Sequence, residues 1–112
     1  MEKHQMSIQV ITDHIKNLEF LFNDYQKNFW MTIKTEPMKW LGRPPESEVE
    51  EFWIVGILGR HVIYYNDIEE GFNVSPYSTF GEILEYRSNQ SELHELIAGL
   101  YESICQGERV LW

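Results

Sequence analysis

Two runs rich in apolar and aromatic residues, Phe52–Leu58 (FWIVGIL) and His61–Asn66 (HVIYYN), stand back to back with only Gly59 and Arg60 between them. Aromatic and β-branched side chains favour strands, and a glycine opening a two-residue link suits a tight type II′-like hairpin. Neither run alternates polar with apolar, as a strand with one wet face does. The hairpin is therefore expected mid-sheet with both faces covered, and Gly56 is expected at a bulge. A chain of 112 residues around such a core makes one domain, 1–112, with fraying expected over residues 1–6.

The flanks supply the rest of the architecture. Ile8, Ile11, Ile15, Leu18, Phe22 and Tyr25 recur every three or four residues, which predicts a helix from Ser7 to about Tyr25. From Asn28 to Thr35 the period changes to two, with Phe29, Met31 and Ile33 on one side, and a strand is expected. Pro37, Gly42 and Pro44-Pro45 then predict a long loop carrying Trp40. Asp67–Gly71 reads as a turn and Phe72–Tyr77 as an edge or terminal strand limited by Pro76, while Phe80–Tyr86 fits strand or helical turn equally. Asn89 with Glu92 resembles a capping box ahead of Leu93, Leu96, Ile97, Leu100 and Ile104, and Gly107 suits a left-handed helix end. The expected fold is α+β: an N-terminal helix, an antiparallel meander of three to five strands, and a C-terminal helix packed on the sheet.

Catalytic signatures are missing from this pattern. Cys105 is the lone cysteine, so an internal disulfide and multi-cysteine metal sites are excluded. His4, His14, His61 and His94 form no metal-binding pair, and there is no GxSxG elbow or GxxxxGK loop. Carboxylate pairs such as Glu50-Glu51, Glu69-Glu70 and Glu82 with Glu85 fall where water keeps both members ionised. The chain is expected to have no catalytic, cofactor-binding or metal-binding residues and not to be an enzyme. No apolar run approaches the ~20 residues of a membrane span, and the first residues lack a signal-peptide core. A cytoplasmic protein without membrane or direct nucleic-acid contacts is expected, the latter because the net charge is −9.

That charge is unevenly placed. Glu46, Glu48, Glu50 and Glu51 precede the central hairpin, and Asp67, Glu69 and Glu70 follow it. A hairpin brings the start of its first strand and the end of its second to the same end of the sheet, so seven carboxylates are expected along one rim. Mutual repulsion there opposes folding, and a basic protein partner is the simplest compensation. Trp40 is the expected apolar anchor beside the rim, with Trp53, Tyr64, Tyr65 and Tyr77 nearby. Trp112 is expected either to pack on the first helix or strand or to remain disordered.

The stretch FWIVGILGRHVIYYNDIEEGFNVSPYSTFGEILEY, Phe52 to Tyr86, with SNQSELHELI after it, resembles small bacterial immunity proteins that accompany polymorphic or contact-dependent toxins. The resemblance implies a cytoplasmic protein that binds one cognate toxin domain, often a basic nuclease, and blocks its active site. No functional residues carry over, because that group shares no motif to match. Two other readings compete. One is a small-ligand module or enzyme with a pocket lined by Tyr64, Tyr65, Tyr86 and His94 between the sheet and the last helix. The other is a homo-oligomeric subunit that associates through Trp30, Thr32 and a free strand edge.

Overall fold

The computed structural model describes residues 6–107. In chain order these form α1 (Ile8–Glu19), α2 (Asp24–Ile33), β1 (Lys34–Gly42), β2 (Glu50–Leu58), β3 (His61–Asn66), β4 (Gly71–Pro76) and α3 (Leu93–Cys105). The strands make one antiparallel meander in spatial order β1-β2-β3-β4, so the β2–β3 hairpin is central, as the sequence requires. Gly59 turns it at φ +60°, and the register slips between Ile54 and Gly56. A Cβ on Gly56 would lie 3.1 Å from the Trp30 ring, so glycine at the bulge lets that indole lie against the sheet.

Both faces are covered, by different means. Over one face lie the three helices, burying Ile11, Ile15, Leu18, Trp30, Ile33, Leu93, Leu96, Ile97 and Leu100 against Val55, Ile63, Tyr65, Phe72 and Val74. The opposite face, with Trp40, Phe52, Ile54, Val62 and Tyr64, is covered by the irregular segment 77–92, here called the strap, through Ile83, Tyr77 and Tyr86. The stretch that fitted strand or helical turn equally is thus neither. Side chains of the sheet hold it. Tyr64 Oη donates to the Arg87 carbonyl at 3.1 Å and accepts from its N–H at 2.7 Å. Asn73 grips Asn89 through both backbone groups, at 2.9 and 3.0 Å. Ser75 Oγ accepts from the amides of Leu84 and Glu85, and Asn66 Nδ2 donates to the Arg87 carbonyl. Asn66, Asn73 and Ser75 are buried polar residues whose hydrogen-bonding capacity is taken up by this strap and its neighbouring turns.

Three expectations about the N-terminal third are corrected. The first helix stops at Glu19, because Asn23 caps a second one: its side chain accepts from Gln26 N at 2.8 Å and Gln26 Oε1 accepts from Asn23 N at 3.1 Å. Asn28–Ile33 belongs to that helix and is not a strand, with Trp30 and Ile33 buried and Met31 exposed. Residues 34–42 are strand β1 and not a loop. Pro37 is tolerated because β1 is an edge strand and its register is broken between Lys34 and Met38. At the other terminus the last helix is capped by Glu92, whose N–H donates to Glu95 Oε1 at 3.0 Å, while Asn89 is held by Asn73. Gly107 closes that helix at φ +71°. Residues 1–5, with His4, and Trp112 lie outside the described residues. Met6 is half-buried, its carbonyl accepting from Trp53 Nε1 at 2.8 Å. No helix among the described residues is long and apolar enough to cross a membrane.

Candidate protein-binding end of the sheet

Strand register decides which loops are neighbours. Gly42 faces Glu50 across β1–β2, Trp53 faces Tyr65 across β2–β3, and Asn66 faces Gly71 across β3–β4. The β1–β2 loop, with Glu46 and Glu48, and the β3–β4 turn, with Asp67, Glu69 and Glu70, therefore project from the same end of the sheet. Glu50 and Glu51 open β2 between them. Glu46, Glu48, Glu51 and Glu70 are exposed, while Glu50, Asp67 and Glu69 are half-buried.

Two further features mark this end. Glu46 and Glu70 both sit in the left-handed region, at φ 56° and 59°, where a residue with a Cβ is strained and glycine or asparagine is the usual occupant. Carboxylates also gather closely enough to act on a neighbouring phenol. Burial first, then Glu70, Asp67 and Glu92, push the Tyr65 hydroxyl above its ordinary value. Glu92 is an eighth acid at this end, brought in by the bridge between Ser91 and Phe72. Sequence spacing alone does not reveal it, since it belongs to the cap of a distant helix.

Lys39 Nζ lies 3.8 Å from Glu51 Oε1 and 5.2 Å above the Trp53 ring. Such an exposed pair contributes at most about 1 kcal/mol. Over the whole molecule the imbalance is regional. Residues 6–41 hold four acids and four bases, whereas residues 42–107 hold twelve acids and three arginines.

Trp40 is not the anchor expected from sequence. It is 2% exposed, because β1 turns it onto the strap face, where its ring meets Tyr77 and Phe80 edge-on at 5.1 and 4.8 Å. Tyr64 and Tyr65 are buried on opposite faces, and the Tyr77 hydroxyl donates to the Gly59 carbonyl at the other end of the sheet. The apolar surface beside the acidic loops is supplied instead by Leu41, Val49 and Leu84. These line a cavity of about 310 Å³ with Arg43 and Glu82. Alternation along β1 is the signal that identifies Leu41: if Trp40 points inward, its neighbour points out.

Tyr64, Tyr65, Tyr86 and His94 do not converge on one pocket; the cavity of about 150 Å³ between β4 and the last helix is lined instead by residues such as Asn73, Val74, Arg87 and Glu95. Tyr64 and Tyr86 pack on the strap face and Tyr65 on the helix face, so the sheet separates them. His94 has a buried Nδ1 without a hydrogen-bond partner among the described residues, and His14 stacks on Phe72 at 5.7 Å. Among the described residues no three His, Cys, Asp or Glu side chains converge as a metal ion needs. Self-association through Trp30 is also corrected: that side chain is fully buried, with its Nε1–H donating to Glu19 Oε2 at 2.7 Å. The chain matches no protein-family model, and neither the curated proteins nor the solved structures offer a match.

Proposed function

We propose that this protein is a binding protein whose acidic end docks a basic protein, and that it acts as a cytoplasmic immunity protein against a toxin domain of that charge. The observation that carries the reading is the convergence of two acidic loops, each with a strained glutamate, beside an apolar groove. A charged rim around an apolar patch is the usual anatomy of a protein interface. Its field accelerates encounter with a cationic partner, and the groove of Leu41, Val49 and Leu84 adds contact area that charge alone does not give. An acidic protrusion of this kind fits a groove made to hold phosphates, which is how a nuclease would be blocked.

The test replaces Glu46, Glu48, Glu69 and Glu70 together by Gln. Partners retained from a host lysate by the parent protein should be basic, should dissociate as salt is raised, and should escape the quadruple variant while its circular dichroism is unchanged. Equal retention by the variant, or partners without a basic bias, contradicts the proposal.

A further inference from the structure

The widest cleft described lies away from the acidic end, where α1, the last turn of α2 and the first residues of β1 meet. It encloses about 600 Å³ and is lined by Thr12, Ile15, Lys16, Met31, Lys34 and Thr35, with Glu36 and Pro37 completing the wall. That volume falls in the range of small-molecule sites. Its β1 wall is the segment where the strand leaves its register with β2, between Lys34 and Met38, and such irregular strand segments recur beside binding sites.

The lining holds two lysines and one glutamate in a chain whose net charge is −9, and Lys34 is paired with Glu19 beside the cleft. Lys34 is fixed in place: Nζ donates to Glu19 Oε2 at 2.6 Å, and the same oxygen accepts from the buried Trp30 indole at 2.7 Å. An ammonium carries three donors, so two remain on a group already oriented by its partner. Lys16 is exposed one helical turn from Thr12. Ile15, Met31 and Pro37 supply the apolar part of the lining, of which Met31 is 56% exposed and adaptable in shape while Ile15 is only 4% exposed.

We infer that this cleft is a binding site for a small organic anion with an apolar body, a carboxylate or sulfonate held by Lys16 and Lys34 while its hydrocarbon part lies on Ile15, Met31 and Pro37. The inference is independent of the acidic end and of any protein partner. Both lysines and the irregular strand segment are built into the chain ahead of the acidic loops.

Anilinonaphthalene sulfonate, an aromatic sulfonate that fluoresces on leaving water, is a suitable probe. The native protein should bind one equivalent saturably, with amide shift changes confined to residues 12–16 and 31–37. Lys16→Glu reverses an exposed charge outside the core, so the near-ultraviolet circular dichroism should be unchanged and the dissociation constant should rise about fivefold or more. The Gln variant of Glu46, Glu48, Glu69 and Glu70 should bind the probe like the parent. Absence of saturable binding, undiminished binding by Lys16→Glu, or shift changes centred on Leu41, Val49 and Leu84 would overturn the site.

Discussion

Glu46 and Glu70 occupy backbone conformations that most side chains avoid, and this makes them informative single positions. A left-handed residue with a Cβ costs about 1–2 kcal/mol, part of which glycine recovers at some loss of chain entropy. Glu46→Gly and Glu70→Gly should each raise stability by about 0.5–1 kcal/mol, seen as a higher urea midpoint, while weakening attachment of a basic partner. If either variant is less stable than the parent, the strained conformation is not what the native loop adopts. Tyr64 offers a second residue-scale test. Burial pushes its hydroxyl up to about 12 from an ordinary 10.0, with the Arg87 backbone bond acting in the opposite direction. Below pH 10 both folded and unfolded chains keep this proton. Between pH 10 and about 12 only the unfolded chain releases it, so stability falls as pH rises through that window. Tyr64→Phe should cost about 1–2 kcal/mol near neutrality through its two lost hydrogen bonds, and this deficit should shrink above pH 10. A deficit that stays constant with pH would contradict the assigned burial.

Among the elements, the strap is held in the least ordinary way, by side chains of β3 and β4 as well as by backbone bonds at its ends and at Gly81, Ile83 and Leu84. Gly71 is the point of closest approach: a Cβ there would collide with the Asn89 carbonyl and the Gln90 backbone. At Gly42 the collision is with the end of Ile83, 2.6 Å away, and with the Phe52 ring at 2.9 Å. Backbone yields less than a side chain, so Gly71→Ala should destabilise by about 2–4 kcal/mol and Gly42→Ala by less. Hydrogen exchange should then quicken at 84–89 before it does at the β2–β3 hairpin, and a uniform increase over all strands would contradict this division. The elements also show where sequence is legible. The hairpin, its bulge and its turn follow directly from FWIVGIL-GR-HVIYYN, because burial on both faces leaves few alternatives. Phe29, Met31 and Ile33 mislead because so short an alternation also fits a helix, in which Trp30, the residue skipped, lies three residues before Ile33 on the buried face. Asn23 followed by Gln26 carries the capping signal, yet asparagine serves helix ends as well as starts. Trp40 is misplaced by the flanking prolines, which an edge strand accommodates. Strap residues show no periodicity, since most of their fixed points are single side chains elsewhere in the chain.

For the molecule as a whole, charge is divided more sharply than structure. The first part, with α1, α2 and β1, is balanced, and the excess of carboxylates falls on residues 42–107. Both edge strands are covered locally: β1 at Leu41, which pairs with Gly81 and Ile83, and β4 by Ser91 at Phe72 and by Leu84 at Pro76. Such shielding opposes assembly by strand addition and directs association to side-chain surfaces. The acidic end is the surface this account assigns to a basic protein, and its field should make association rates fall as ionic strength rises. The most direct measurement maps amide chemical shifts while an oligolysine peptide is titrated into the protein. Changes should concentrate in residues 43–51 and 67–71 and at Leu41 and Leu84. Changes spread evenly to Asp13, Asp24, Glu36 and Glu102, or none at the two acidic loops, would contradict it.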